Sequence, residues 1–334
     1  MKNTISRISW LDYGKAICML VTMLFHTEVM YMGDTCLFTD LVFFNTSMVF
    51  FFFVSGYLTN IQDFNFKNSL SSLVKRLLIP YFIFTTIIYI PKHLVRGWDF
   101  DVFTMLAEIF GGVASWFIAA LIVSKLILCI LVRFTTKLSI IGISSIMLTI
   151  LGFVLTQYFQ APQYWYVNYA FISMFYLFLG VLYREYEDKI RFNKVWQAII
   201  STILFFILAY FDYKIQLSTY IYGLKEGGVE IIEVLTYLCL SVIGIWMVIS
   251  LMKLIPFGIK WLAYVGVNSL TYYYLNTGLL LVIITIMNKI GFTEISTWFV
   301  LPLFFIVVII LTFASEIILR FAPWMVGYSK KTNK

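Results

Sequence analysis

Three ionisable side chains share one helix face near the start of the chain, within a stretch that is otherwise apolar. Asp12, Lys15 and His26 are joined by steps of three or four residues, which keeps them on one stripe of an α-helix. The full stripe consists of Asp12, Lys15, Met19, Thr22 and His26. Lys15 and His26 lie about 16 Å apart along such a helix axis. A channel along this stripe would meet a cation near the cytoplasmic surface and an imidazole in the outer half of the membrane.

His26 is a candidate catalytic residue, because an imidazole titrates near neutral pH. It is one of two histidines in the chain, and the other, His93, is expected at the outer membrane interface. A hydrogen-bonded structural histidine is the alternative interpretation of His26. Asp12 and Lys15 also have two interpretations, since they could belong to a functional stripe or form a simple ion pair at the cytoplasmic interface.

Other polar residues in the apolar stretches give weaker signals. Lys75 and Arg76 precede the sequence LLIPYF, where cations could hold a phosphate group or only set the topology. Ser55 lies in an aromatic stretch, and a small residue there favours close helix approach. Further polar or interfacial candidates are Glu108, Trp116, Asn268 and Asn276.

The composition excludes a soluble globular protein. Of 334 residues, 61% are hydrophobic and 12% are charged, whereas about 25% are charged in an average soluble domain. The apolar stretches have the length of transmembrane helices, about 20 residues, rather than that of barrel strands. We therefore predict an all-α polytopic bundle in a single membrane domain, residues 1–334. The ten predicted spans are 10–30, 41–60, 77–95, 116–133, 138–157, 167–184, 195–212, 231–252, 262–288 and 298–321.

Lysine and arginine are distributed unevenly between the two sides of the predicted bundle. Of 24 such residues, 19 fall on the side that includes both termini, and the other five are Lys92, Arg96, Lys214, Lys225 and Lys289. Because cations are retained on the cytoplasmic side, both termini are expected there. The basic residues are spread over six segments, which excludes a nucleic-acid-binding stripe. The four cysteines are far apart and predict neither a disulfide framework nor a zinc site.

Six short motifs occur along nearly the whole chain. They are 11-LDYGK-15 followed by His26, 51-FFFVSGYL-58, 76-RLLIPY-81, 116-WFIAAL-121, 176-YLFLG-180 and 266-GVNSLTYY-273. In this order they resemble the acyltransferase-3 family of multi-span bacterial membrane acyltransferases. Within that family, the chain is most similar to the short stand-alone branch described as fucose 4-O-acetylase-like.

The resemblance implies an enzyme of the bacterial inner membrane that moves an acyl group from cytoplasmic acyl-CoA to a sugar hydroxyl, most often as acetyl. It implies a catalytic role for His26 and donor phosphates held by Lys15 and by the basic residues Lys75 and Arg76. Acetyl-CoA would be a substrate, with no permanently bound cofactor and no metal. The expected partners are acyl-CoA, a carbohydrate acceptor and membrane lipids, and an oligomer is compatible with the sequence.

Two positions depart from the family pattern. Leu73 stands where the family often has the first of two arginines, so donor contacts are expected to shift toward Lys75. Asn276 stands where the family often has a second histidine. For His26, a general base that acts on the acceptor hydroxyl is favoured over a covalent acyl-histidine, and Glu108 could orient the imidazole.

A transporter or flippase for a glycan or lipid is the alternative class, because it would also place polar groups inside a membrane domain. Against it, the two halves of the sequence lack the paired broken helices that mark transporter repeats. The chain also lacks a Walker loop, which argues against an ATP-driven pump. Consumption of acetyl-CoA by the purified protein in detergent would distinguish the two classes.

The charge asymmetry predicts the side on which the chain ends. A reporter that is active only in the periplasm should give no signal when it is fused after Lys334, whereas the 213–230 loop is expected outside. Fluorescence or enzymatic activity of the fusion, corrected for expression, is the measurement. A strong signal at Lys334 would overturn the orientation.

Overall fold

A computed structural model describes residues 9–33, 44–97, 100–159, 163–215, 231–256, 258–292 and 296–328, and every regular element within these ranges is a helix. This confirms the prediction of an all-α polytopic bundle. The chain termini and residues 216–230, for which the sequence predicts a side of the membrane, lie outside the described residues. The α-helices are α1 (Ser9–Met32), α2 (Phe44–Tyr57), α3 (Phe66–Leu73), α4 (Ile79–Arg96), α5 (Val102–Phe110), α6 (Trp116–Phe134), α7 (Leu138–Tyr158), α8 (Val167–Tyr186), α9 (Val195–Ile215), α10 (Ile231–Leu254), α11 (Lys260–Val267), α12 (Ser269–Lys289) and α13 (Thr297–Phe321).

Nine helical segments in the described part of the chain are long and apolar enough to cross a membrane. They correspond in order to nine of the ten predicted spans. The remaining predicted span, 41–60, contains α2, which has 14 residues and is shorter than the roughly 20 residues of a full crossing.

Helix α1 lies at the centre of one half of the bundle. It contacts α2, α10, α11, α12 and α13, and its residues Cys18, Met19 and Met23 are buried. The other half is built around α8, which packs against α2, α6 and α7. Helix α2 joins the two halves, because it contacts both α1 and α8.

Helices α2 and α8 approach each other at two glycines. A Cβ added at Gly56 would lie 2.8 Å from the Cα of Leu177, and one added at Gly180 would lie 2.6 Å from the backbone nitrogen of Tyr57. Small residues permit this backbone-to-backbone contact between membrane helices. The close helix approach predicted for the Ser55 segment is thus present, and Gly56 makes it.

Two predicted spans differ from the observed helices: one belongs to a longer helix, and the other is interrupted. The span predicted at 77–95 is part of a longer helix that runs from Phe66 through a π-helical segment, Val74–Leu78, into α4. The span predicted at 262–288 is interrupted at Asn268, between α11 and α12. There the side-chain amide of Asn268 donates to the carbonyl oxygen of Tyr264 over 2.9 Å. A local bond of this kind competes with the regular backbone hydrogen bonds of a helix.

The variant Gly56→Ala tests the contact between α2 and α8. The added Cβ would overlap the backbone of Leu177, and overpacking of this kind lowers the free energy of unfolding by about 1–3 kcal/mol. The matched control is Gly278→Ala, whose Cβ would meet only the Cγ2 of Ile88 at 3.5 Å. Thermal unfolding in detergent should give a lower midpoint for Gly56→Ala than for Gly278→Ala. Equal midpoints would contradict the close contact.

Candidate active site

Two cavities with polar groups in otherwise apolar walls lie at different levels along α1. The first contains Lys15 and has a volume of about 710 Å³, and we call it the Lys15 cavity. The second contains His26 and has a volume of about 330 Å³, and we call it the His26 cavity. The stripe on α1 therefore contributes to two separate cavities.

The Lys15 cavity brings together polar groups from three parts of the chain. Asp12 and Lys15 come from α1, Arg76 comes from the π-helical segment, and Asn268 lies at the break between α11 and α12. The Nζ of Lys15 lies 2.9 Å from the Oδ1 of Asp12. Asn268 is held close to this pair because Gly266 has no side chain, and a Cβ there would lie 2.6 Å from the backbone carbon of Asp12.

Arg76 lines this cavity and Lys75 does not. The two residues occupy neighbouring positions in the π-helical segment, and both side chains are exposed. Beside the segment, Gly327 adopts a left-handed backbone conformation (φ 79°), and a Cβ there would lie 2.6 Å from the carbonyl oxygen of Lys75 and 2.9 Å from the Cα of Arg76. This turn brings Val326 and Tyr328 into the lining of the Lys15 cavity together with Arg76. A π-helical turn inside an α-helix is frequently found at functional sites.

The His26 cavity has mixed polar and aromatic walls. Its principal lining residues are Thr22 and His26 from α1, Thr85, Tyr89 and Lys92 from α4, Glu108 from α5, Ser115 and Trp116 at the start of α6, and Tyr273, Tyr274 and Thr277 from α12. Among the described residues, none makes a hydrogen bond to the imidazole of His26, whose ring contacts that of Phe25 at 5.5 Å. Glu108 shares the cavity but is not hydrogen-bonded to His26.

Tyr274 lines this cavity next to Tyr273. It is 5% exposed, and its ring stacks on Phe84 with centroids 4.9 Å apart. Its hydroxyl is buried and has no hydrogen-bond partner within the described ranges. Buried hydroxyls are usually paired, so this one is an exception in the wall of the cavity.

The segment between α5 and α6 is fixed by hydrogen bonds to its backbone. The hydroxyl of Tyr81 donates to the carbonyl of Ile109 over 2.9 Å. The Nε1 of Trp165 donates to the carbonyl of Phe110 over 2.9 Å, and its backbone nitrogen donates to that of Gly111 over 2.7 Å. These donors satisfy carbonyls that the end of a helix leaves unpaired. Glu108 and Trp116, on either side of this segment, are therefore held rigidly at the cavity.

Trp165 makes these bonds from an uncommon backbone conformation. Its φ is 53°, and that of the following Tyr166 is 45°. Left-handed backbone costs of order 1–3 kcal/mol for a residue other than glycine, and it persists only where surrounding contacts impose it. The two hydrogen bonds of Trp165 to the end of α5 are such contacts.

Met19 separates the two cavities along α1. It follows Lys15 by one helical turn and precedes Thr22 by about one more, and it lines neither cavity. Its side chain is 1% exposed. The polar stripe is thus interrupted by one buried, unbranched side chain, of a type that adapts readily to new packing.

The structure divides the predicted site residues into three sets. Asp12, Lys15, Arg76 and Asn268 line the Lys15 cavity, and His26, Glu108 and Trp116 line the His26 cavity. The remaining three, Ser55, Lys75 and Asn276, line neither. Asn276 is 1% exposed, and its Oδ1 has no hydrogen-bond partner in the part of the chain that is described.

Sequence analysis assigned only a topological role to Lys125, and this residue proves to connect two helices. Its Nζ donates to the carbonyl oxygen of Ser55 over 2.8 Å and also to the hydroxyl of Thr59. A cation is favourable at the C-terminal end of a helix, and this one caps α2. The available signal was a lysine within a long apolar stretch, since such a charge requires polar partners.

Lys253 forms a second connection that the sequence did not indicate. Its Nζ lies 2.6 Å from the Oε1 of Glu187 and donates to the hydroxyl of Tyr183 over 2.7 Å. The hydroxyl of Tyr57 donates to the other oxygen of Glu187. The ends of α2, α8 and α10 are thereby joined, and Lys253 also lies over the ring of Trp10 in α1 at 5.1 Å.

The fold and these cavities define a multi-pass integral membrane protein with ionisable groups in its interior. A family model described as an acyltransferase domain matches residues 8–319, and the chain belongs to this family, acyltransferase-3. The protein is therefore a membrane acyltransferase, which confirms the resemblance and favours an enzyme over a transporter. The similarity to the fucose 4-O-acetylase-like branch stays a prediction. No curated protein and no solved structure matches the chain.

Proposed function

We propose that this acyltransferase moves an acyl group, preferably acetyl, from cytoplasmic acyl-CoA to a hydroxyl of a cell-surface glycan or of its lipid-linked precursor. The observation that carries the proposal is the arrangement on α1, which contributes Lys15 to one cavity and His26 to another. The proposed location is the bacterial inner membrane, with the Lys15 cavity toward the cytoplasm. Membrane lipids surround the bundle, and neither a permanently bound cofactor nor a nucleic acid takes part.

The Lys15 cavity is the proposed site of the donor phosphates. Lys15 is already paired with Asp12, whereas Arg76 has no carboxylate within salt-bridge distance among the described residues. A guanidinium binds phosphate oxygens through two parallel hydrogen bonds, which are among the stronger ones in proteins. We therefore expect Arg76 to contribute more to donor binding than Lys15.

The His26 cavity is the proposed site of transfer. A sugar hydroxyl is a poor nucleophile, so an imidazole nitrogen of His26 would accept its proton while the oxygen attacks the thioester carbonyl carbon. The carbon–sulfur bond then breaks, the ester forms, and coenzyme A leaves as a thiolate that takes up a proton. A mechanism in which the acyl group is first transferred to His26 as a covalent intermediate is less favoured.

Transfer between the cavities requires Met19 to move. A donor whose phosphates stay in the Lys15 cavity would extend its pantetheine arm along the α1 stripe, over the roughly 16 Å of helix axis between Lys15 and His26, to reach the imidazole. Met19 lies in that path and has three rotatable side-chain bonds. Its displacement would join the two cavities for the duration of the reaction.

The variant Arg76→Ala tests the donor site. Loss of a charge-assisted hydrogen bond should raise the apparent KM for acetyl-CoA by about 10–100-fold, and the remaining activity should depend less on salt. The control is Lys75→Ala, which removes a neighbouring cation that does not line the cavity. Initial rates of acetyl transfer to membranes from a deletion strain, at several concentrations of acetyl-CoA and salt, provide the measurement.

A rise in KM for Arg76→Ala alone supports phosphate binding at this cavity. If both variants raise the KM for acetyl-CoA equally, Lys75 and Arg76 act through the electrostatic field of two neighbouring cations and not through a direct contact of Arg76 with the phosphates. Unchanged donor kinetics in Arg76→Ala and in Lys15→Ala would leave topology as the role of these cations.

The variant His26→Ala tests the transfer site. A general base contributes about 10²–10⁴-fold to the rate, so turnover should fall by that factor while expression and the binding of acetyl-CoA persist. His26→Asn should be nearly as inactive, because an amide does not accept the proton. The control is His93→Ala, which removes the second histidine of the chain.

Acetylation of surface glycans in a complemented deletion strain, measured by mass spectrometry at equal protein content, gives the readout. Wild-type turnover in His26→Ala would make His26 a structural residue and would refute the proposed site.

A further inference from the structure

Helix α5 runs back along α4 instead of leaving the bundle. The ring of Phe100, just before α5, contacts that of Tyr89 at 6.3 Å. At the other end of α5, the carbonyl of Ile109 accepts from the hydroxyl of Tyr81, and Phe110 contacts Phe82 at 5.3 Å. Because Tyr81 to Tyr89 lies within the membrane-spanning segment Phe66–His93, α5 is a re-entrant helix beside it.

Side chains cap both ends of α5 with hydrogen bonds. Asp101 caps the first turn, since the backbone nitrogen and hydroxyl of Thr104 donate to its Oδ2 over 2.8 Å and 2.6 Å. The final carbonyls accept from Tyr81 and Trp165, as described above. Re-entrant backbone is tolerated in a membrane when its polar groups are satisfied in this way.

The two faces of α5 have different surroundings. Phe103, Leu106 and Phe110 follow each other by three and four residues, so they share one face, and they are 82%, 41% and 63% exposed. On the opposite face, Ile109 is 2% exposed and Glu108 lines the His26 cavity. One helix thus separates this cavity from the surface on which Phe103 lies.

The exposed face of α5 continues a lipid-facing surface. Ile87 and Ile90 of α4, within the same membrane span, are 51% and 44% exposed. An apolar surface at this depth is in contact with hydrocarbon chains. Helix α5 therefore places Glu108 in the His26 cavity on one face and meets membrane lipid with the other face.

We propose that the acceptor is a lipid-linked glycan, whose hydrocarbon chain lies against the Phe103, Leu106 and Phe110 face of α5 while its sugar enters the His26 cavity. This inference rests on the proposed function and narrows its acceptor. Glu108 offers a carboxylate to the sugar, and Trp116 and Tyr273 offer aromatic rings. A lipid chain on α5 would keep the sugar at the level of His26.

Photo-crosslinking with a matched control tests this placement. Phe103→p-benzoylphenylalanine and Phe305→p-benzoylphenylalanine keep an aromatic ring at positions that are exposed in the structure, 82% on α5 and 58% in the first half of α13. Each protein is incubated with deletion-strain membranes and radiolabelled acetyl-CoA, irradiated and purified. Labelled glycolipid bound to the protein is then measured, together with crosslinked bulk phospholipid.

We expect both positions to capture phospholipid, and position 103 to capture about tenfold more acetyl-labelled glycolipid than position 305. Equal capture of glycolipid at the two positions would overturn α5 as the acceptor surface. Label that enters only water-soluble glycan would overturn the lipid-linked acceptor while leaving the proposed function intact. Absence of label from every glycan in the wild-type reaction would overturn the proposed function and this inference with it.

Discussion

The cost of a charge inside a bilayer determines how this bundle is arranged. Placing Asp or Lys at the centre of a membrane helix costs about 2.5–3.5 kcal/mol on insertion scales, and the cost is smaller near the helix ends. Helix α1 carries Asp12 in its first turn, Lys15 one turn further and His26 deeper in the span, all on one face. The bundle meets that cost by surrounding α1 with five other helices, pairing Asp12 with Lys15 and leaving polar cavities beside Lys15 and His26. The same rule accounts for Lys125 and Lys253, whose ammonium groups are bound by oxygens from neighbouring helices.

Much of the fold could be predicted from the sequence, because hydrocarbon imposes a simple pattern. A helix that crosses a membrane needs about 20 apolar residues, and stretches of that length stand out against the charged connections. The α1 stripe was predictable for a similar reason, since helical periodicity alone places Asp12, Lys15 and His26 on one face. Their division between two cavities was not, because it depends on the residues that α4 and α12 contribute to the walls of the His26 cavity.

The features that escaped prediction depend on tertiary contacts. Helix α5 has only nine residues, and its position beside α4 depends on donors from Tyr81 and Trp165 that are distant in sequence. Arg76 but not Lys75 lines the Lys15 cavity, in a π-helical segment that packs against the turn at Gly327. At the break between α11 and α12, the side-chain amide of Asn268 bonds to the preceding turn. Periodicity and composition contain no information on such individual bonds.

The burial of Met19 between the two cavities has an electrical consequence. Cavities that open on opposite sides of an energised membrane would form a leak for protons and small cations if water filled the space between them continuously. A hydrophobic constriction prevents conduction by excluding water, and Met19, which is 1% exposed, adds apolar surface to the space between these cavities. In the proposed reaction Met19 would move aside for the acyl chain, so the protein would have to reseal after every turnover to preserve the ion gradients of the cell.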